Sequence, residues 1–262
     1  MTATATAHRP RRARPPGRAF RKLLRAEARL ALRAPVGLVF GVALPVLLLI
    51  IFGAIPVFRH PVQAGSTVTF FQAYIPVLVC LSLALLALIS LPIPLVTYRQ
   101  LGVLRRFAAT PAPPSWLLAA QLLINVVLAL VTAIVLVAGS ILFYGGRFPA
   151  QPGGFALALV LAMAAMFAIG LLITARARTP AVASVFGNLA LYPMLFFAGL
   201  WVPRQNMAPV LQQIGDYTPL GAAVQAMGDA MQGAFPGARA LLVLAAWAAA
   251  AGVLAVRYFR WE

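Results

Sequence analysis

The chain has 262 residues, 63% of them hydrophobic and only 10% charged. With a mean hydropathy of +0.94 there is no room for a soluble domain beside the apolar segments, so the chain reads as one membrane domain. The formal net charge of +17 would suit a nucleic-acid binder if the chain were soluble, but the placement of the charges excludes that class.

No charged side chain lies between Arg33 and Arg59, His60 and Arg99, Arg106 and Arg147, Arg147 and Arg176, Arg178 and Arg204, or Arg239 and Arg257. These windows are 17 to 40 residues long. A helix needs about 20 mostly apolar residues, with roughly 17 as the lower limit, to cross a bilayer core of ~30 Å. Six windows therefore predict six membrane helices in an all-α fold. With the N-terminus inside, 17 of the 21 Arg and Lys residues fall on the cytoplasmic side, and only Arg59, Arg147, Arg204 and Arg239 fall outside. That asymmetry predicts an N-in, C-in topology. No signal peptide is expected, because the apolar run at 36–55 is too long for an h-region and no A-x-A-like site follows it. Arg11-Arg12 lacks the apolar context of a twin-arginine signal. The single cysteine, Cys80, falls within a span, so neither a disulfide framework nor a thiol cluster is expected.

Residues 1–17 read as a disordered basic tail, and 18–262 as the transmembrane domain. Over 20–33, helical spacing gathers Arg21, Lys22, Arg25, Arg29 and Arg33 on one face and Phe20, Leu23, Leu24, Leu30 and Ala31 on the other. This predicts a basic amphipathic helix in the inner headgroup region. Glu27 falls among its apolar positions. Either it snorkels out to pair with nearby arginines, or it contacts a cytoplasmic partner.

Span 1 is predicted at 36–58, with Pro45 inside it. Gly37-x-x-x-Gly41 near its start is a spacing that serves close helix packing but also recurs by chance in glycine-rich spans. Span 2 follows at 71–96 with Pro76, Pro92 and Pro94, whose freed backbone groups neighbouring helices can satisfy. Spans 3, 4 and 5 are placed at 116–143, 155–175 and 181–201. Residues 202–236 are too polar to span, yet hold only Arg204, Asp216 and Asp229 as charges. Two short outer helices half-sunk in the leaflet, near 207–215 and 219–232, fit that composition. Span 6, at 240–256, has Arg239 and Arg257 at its ends, placed to snorkel, with Tyr258 and Trp261 in the interface belt beyond it.

The chemistry the residues exclude is informative. Lys22 is the only lysine and precedes a leucine, so no G-x-x-x-x-G-K-[ST] phosphate loop exists in this chain. Only His8 and His60 are histidines, and no metal-ligand spacing or base for a nucleophile is visible, so no catalytic residue and no metal site is assigned. No predicted span holds an ionisable acid, histidine, lysine or arginine, which argues against intrinsic proton or sodium coupling. A membrane protein without an energy source of its own needs a partner. The inner loop at 98–115 is the docking candidate: Leu101, Leu104 and Phe107/Ala108 recur at helical spacing, Arg105 and Arg106 face elsewhere, and Pro111, Pro113 and Pro114 stop the helix. The alternative is an ordinary positive-inside loop. A ligand-facing surface built from these spans would be aromatic and aliphatic, with Met163, Met166, Phe167, Phe196 and Phe197 as candidates.

The stretch Tyr98-Arg-Gln-Leu-Gly102-Val-Leu-Arg-Arg-Phe-Ala-Ala-Thr110-Pro111 resembles the inner-loop motif of ABC-2 type permeases, acid-Gly-Thr-x-x-x-[Leu/Phe]-x-x-Thr-Pro. Gly102, Leu104, Arg105, Arg106, Phe107, Thr110 and Pro111 match, while Gln100 and Val103 stand where the acid and the first Thr belong. Pro193-Met-Leu-Phe-Phe-Ala-Gly199-Leu-Trp-Val-Pro203, continuing through Met207, Pro209 and Pro219, is similar to the end of span 5 and the outer helices of the same family. The resemblance is closest to the daunorubicin-resistance-like drug exporter permeases. The resemblance implies a permease of an ABC exporter in a bacterial plasma membrane. Two six-span subunits, identical or homologous, would stand on two ATPase copies that bind ATP and Mg²⁺, with no cofactor in this chain. It also implies a coupling helix at 101–109 between spans 2 and 3, with Leu101 and Gly102 at its start. Arg25, Glu27 and Arg29 of the N-terminal helix would form a second ATPase contact. An outer cap at 202–236 would include Pro203, Met207, Pro209, Asp216 and Pro219. The cargo would be a hydrophobic or amphiphilic drug, natural product or lipid. The competing class is a secondary transporter or channel not powered by ATP.

Overall fold

Runs of Leu, Val, Ala and Ile without charge leave the backbone no water to bond, and the chain answers with helices throughout. In the computed structural model, residues 16–33, 35–60, 69–103, 113 and 115–258 are described, and they contain no strand. The elements are α1 (Pro16–Arg33), α2 (Pro35–Leu38), α3 (Leu44–Ala54), α4 (Phe70–Leu85), α5 (Pro92–Gln100), α6 (Ser115–Tyr144), α7 (Pro152–Arg176), α8 (Pro180–Ala198), α9 (Pro209–Tyr217), α10 (Pro219–Gln232) and α11 (Ala238–Tyr258). The amphipathic helix begins at Pro16, before the predicted Phe20; residues 1–15 lie outside the described part.

Among the described residues, five helices are long and apolar enough to cross a bilayer: Phe70–Gln100, Ser115–Tyr144, Pro152–Arg176, Pro180–Ala198 and Ala238–Tyr258. The first predicted window is helical from Pro35 to Ala54, but Val39–Ala43 is wound as π-helix, and its apolar stretch Val39–Ala54 falls short of the other five. It ends before the predicted 58, because Ile55 precedes Pro56 and is extended (φ −81°, ψ 119°).

Prolines set these irregularities. Pro45 has no N–H to give the Gly41 carbonyl, and the Ser82 hydroxyl donates to it instead at 2.5 Å. Pro92 likewise gives nothing to the Leu88 carbonyl, and Leu86–Ser90, just before it, is π-helix with Leu91 N–H donating to the Leu86 carbonyl. The Ala87 and Leu88 carbonyls there abut Gly170 of α7 and Gly187 of α8, while Gly37 and Gly41 face Ser90 and Leu86. The Gly37/Gly41 spacing thus marks a real helix contact.

Phe70–Gln100 is the most enclosed span, with α3, α6, α7, α8 and α10 packed around it. Thr69 and Gln72 form a capping box at its start. Among the described residues, the most extensive helix contact runs between α7, whose buried residues include Ala158, Ala162 and Ala165, and α11, which buries Ala240, Leu244, Ala251 and Ala255. Small side chains allow that close approach.

Both predicted cap helices are present. The second, α10, is not half-sunk in lipid: it packs against α7, α11, α8 and α4, and Leu220, Ala223, Met227 and Ala230 are fully buried. Irregular or re-entrant chain is tolerated at membrane depth where protein encloses it. Thr218 caps α10, accepting from Gly221 N–H at 3.1 Å.

Candidate functional site

Polar side chains gather at two opposite ends of the bundle. At the end where α1 docks, Phe20 meets Trp116 edge to face, with ring centres 5.8 Å apart, and α1 lies against α6. This turns Glu27 inward. It is only 6% exposed, and it accepts from the Tyr98 hydroxyl at 3.0 Å and from Gln121 Nε2 at 2.6 Å. Neither reading of Glu27 from the sequence holds: it does not pair with the helix's arginines, and it is not exposed to a soluble partner. Arg25 and Arg29 are exposed on the opposite face of α1. The alternation that put Glu27 among apolar positions was itself the signal of burial. Its partners come from elements 71 and 94 residues away and were invisible to periodicity.

The last turn of α5 is bound just as firmly. Arg99 donates to the Thr174 carbonyl at 3.3 Å and to the Ala177 carbonyl, so a cation caps the C-terminal end of α7, where carbonyls lack helical donors. Gln100 Nε2 donates to the Arg178 carbonyl at 3.4 Å, a bond that an acid at this position could not make. Gly102, at φ +67°, then turns the chain out of α5. Leu101 is exposed. Leu104, Arg105, Arg106, Phe107, Thr110 and Pro111 lie outside the described residues.

Replacing Glu27 with Ala should lower the melting temperature markedly, because it strands the Tyr98 and Gln121 donors. Each buried donor left unpaired costs about 1–3 kcal/mol. Arg25→Ala, on the exposed face, should change stability by less than about 0.5 kcal/mol. Thermal melts of the detergent-purified variants check both; equal melting temperatures for Glu27→Ala and the parent would refute the assignment.

At the opposite end, Arg204 reaches the carboxylate of Asp216, which also binds Arg239. Arg204 Nη1 further donates to the Gly221 carbonyl at 2.6 Å, joining the segment after α8 to both cap helices. Gly199, at φ +92°, ends α8 and lets the chain reverse towards Arg204. Beside this triad lies a cleft of about 470 Å³ whose walls include Tyr74, Pro203, Arg204, Pro209, Gln225 and Asp229. Burial pushes the Asp229 carboxyl above its ordinary range, an effect that the Gly237 N–H and the charge of Arg204 oppose. Of the cap residues expected from sequence, Pro203, Pro209 and Asp216 line the cleft, Met207 is buried, and Pro219 opens α10. Arg204 was not foreseen as their centre.

Met163, Met166 and Phe167 are buried within α7 and do not line the cleft. Phe196 and Phe197 are half-buried at the cap end of α8, edge to face at 5.4 Å. The five are not brought into one surface. Among the described residues, no group of three or more His, Cys, Asp or Glu side chains is placed to hold a metal.

No curated protein matches the chain. The family model of the ABC-2 type transporter matches residues 18–231, which takes in α1, every span but the last and both cap helices. The chain belongs to the ABC-2 type transporter family, as a membrane-embedded, multi-pass permease subunit that is not itself the ATPase.

Proposed function

We propose that this permease exports a hydrophobic or amphiphilic compound from a bacterial cell across the plasma membrane, using ATP and Mg²⁺ bound by two copies of a separate ATPase subunit. It works with a second permease, identical or homologous, and drug efflux or antibiotic resistance of the daunorubicin-resistance-like kind is the role we favour. The topology is six spans, N-in and C-in, with Pro35–Ala54 as the first and the Arg204–Asp216–Arg239 cap outside. The arginine asymmetry supports that orientation.

The observation that carries the reading is how the chain is held just before the coupling motif. Tyr98, Arg99 and Gln100 bind α1, the end of α7 and the α7–α8 turn in three consecutive residues. A push on the loop at 101–111 by a closing ATPase dimer is thereby delivered to three elements at once. Arg25 and Arg29, on the exposed face of α1, would make a second ATPase contact, with Glu27 holding the helix that carries them. The binding energy of nucleotide is then spent on moving helices, which shifts the bundle from inward-open to outward-open.

Proteoliposomes containing permease and ATPase test this. ATP alone should drive export, and a protonophore should leave the rate nearly unchanged, since the spans offer no titratable relay. Gradient-driven transport without nucleotide would replace the reading by a secondary carrier. Cysteines introduced at Ala112 and Gln205 should react with an impermeant reagent from opposite sides of the membrane; labelling of both from outside intact cells would refute the topology.

A further inference from the structure

We propose that the C-terminal ends of α7 and α11, on the side of the bundle where α1 docks, form a site for an anionic phospholipid. Its head would sit among Arg176, Arg178 and Arg257, and an acyl chain would follow the open face of α11. The site is for a resident lipid rather than for cargo, so it goes beyond the export reading and does not depend on it.

The backbone here is satisfied without these arginines. Arg99 caps the end of α7 through the Thr174 and Ala177 carbonyls, and Gln100 Nε2 donates to the Arg178 carbonyl. The guanidinium groups of Arg176 and Arg178 are therefore not needed to cap the helix that carries them. Arg176 instead lies over the ring of Tyr258, 3.9 Å from its centre, and so joins the last turn of α7 to that of α11. Stacking uses the face of a guanidinium and leaves the N–H groups on its edge to donate. Arg176, Arg178 and Arg257 are all exposed. Both ion pairs among the described residues belong to Asp216 at the opposite end, so none of the three arginines has a carboxylate partner there.

Charge and depth together define the partner. The acid described on this side of the bundle is Glu27, and its carboxyl is buried and engaged by Tyr98 and Gln121. Three guanidinium groups without a carboxylate call for an anion, and phosphate oxygens match their forked N–H groups. The surface beside them selects a lipid over a soluble anion. α11 packs on α7, α9 and α10 through one face, while Val253 and Val256 stand on the other, 54% and 80% exposed. Arg257 follows Val253 by one helical turn on that open face. An apolar stripe that ends in a cation matches an acyl chain joined to a phosphate. A soluble protein docked on the arginines would leave the stripe uncovered.

The test uses the full-length permease alone, delipidated in a neutral detergent, with unlabelled lipids displacing a fluorescent phosphatidylglycerol. Phosphatidylglycerol should compete at least about tenfold better than phosphatidylcholine, since one arginine at headgroup depth is worth about fivefold and three act together. Changing Arg176, Arg178 and Arg257 together to Gln should bring that ratio to about one. Tyr258→Leu, which keeps every charge, should lower it several-fold, because Arg176 is no longer held. Changing Arg18, Arg21 and Lys22 to Gln removes as much charge from α1 and should leave the ratio within about twofold. Equal affinities in the parent, a ratio unmoved by the triple change or by Tyr258→Leu, or an equal loss from the α1 variant would overturn the proposal. Displacement by glycerol 3-phosphate at the same concentrations would make this a site for soluble phosphates instead. Glu262 lies outside the described residues, and a gain above about tenfold in Glu262→Gln would give the arginines to the chain's own tail. Loss of the ATPase from the triple variant with the lipid ratio unchanged would give them to that subunit.

Discussion

Replacing Leu104 and Phe107 together with aspartate should abolish substrate-stimulated ATP turnover in the assembled transporter while the permease still folds and reaches the membrane. Both residues lie in the loop motif between Gly102 and Pro111, and helical spacing would put them on its apolar face. If that face is seated in a groove of the ATPase, each substitution places an uncompensated carboxylate in an apolar contact, at a cost of several kcal/mol. A loss of that size is on the order of a hundredfold or more in the docked population. The membrane bundle should be spared, because the anchors that hold the chain beside the motif lie in Tyr98, Arg99 and Gln100 and are untouched. Co-purification of the ATPase and stimulated turnover are the two readouts. Retention of both in the double variant would remove the loop from the coupling mechanism. Substituting Arg99 with Leu is the complementary experiment: the ATPase should still bind, but the α7 terminus loses its cap and stimulation by substrate should fall.

The second large effect is expected at Gly170 and Gly187. A Cβ at Gly170 would collide with the Ala87 carbonyl oxygen, and one at Gly187 with the Leu88 carbonyl oxygen. In both cases the obstacle is backbone, which cannot swing aside as the end of a side chain can. Overpacking of this kind costs about 1–3 kcal/mol, and more where the backbone cannot shift. Alanine at either position should therefore lower the melting temperature of the solubilised protein and its yield, and the pair should act jointly because both helices meet the same π-helical segment, Leu86–Ser90. Gly153→Ala is the control, with nothing within 4 Å of its added carbon, and should fall within about 0.5 kcal/mol of the parent. Normal melting of Gly170→Ala would mean that the helices stand further apart here than described.

Much of the architecture was legible because a bilayer imposes one dominant rule. Charge-free windows of sufficient length must be helical and buried in lipid or protein, so the ends of the long helices could be read to within a few residues from charge and hydropathy together. The amphipathic helix and the second cap helix, which starts at Pro219 as expected, were equally plain, while the first, expected near 207–215, runs from Pro209 to Tyr217, because Pro209 fixes its first turn. The absence of a phosphate loop was decided by one lysine. Three-dimensional packing decided the rest. Where Pro45 and Pro92 turned the chain into π-helix depended on Ser82, Gly170 and Gly187 arriving from other helices to meet the freed carbonyls. Glu27 was turned inward by Tyr98 and Gln121, and Asp216 was made the centre of the cap by Arg204 and Arg239. Hydropathy is a property of a local window and survives in a one-dimensional reading. The pairing of a polar group depends on which distant residue stands within 3 Å of it, and only the folded chain determines that.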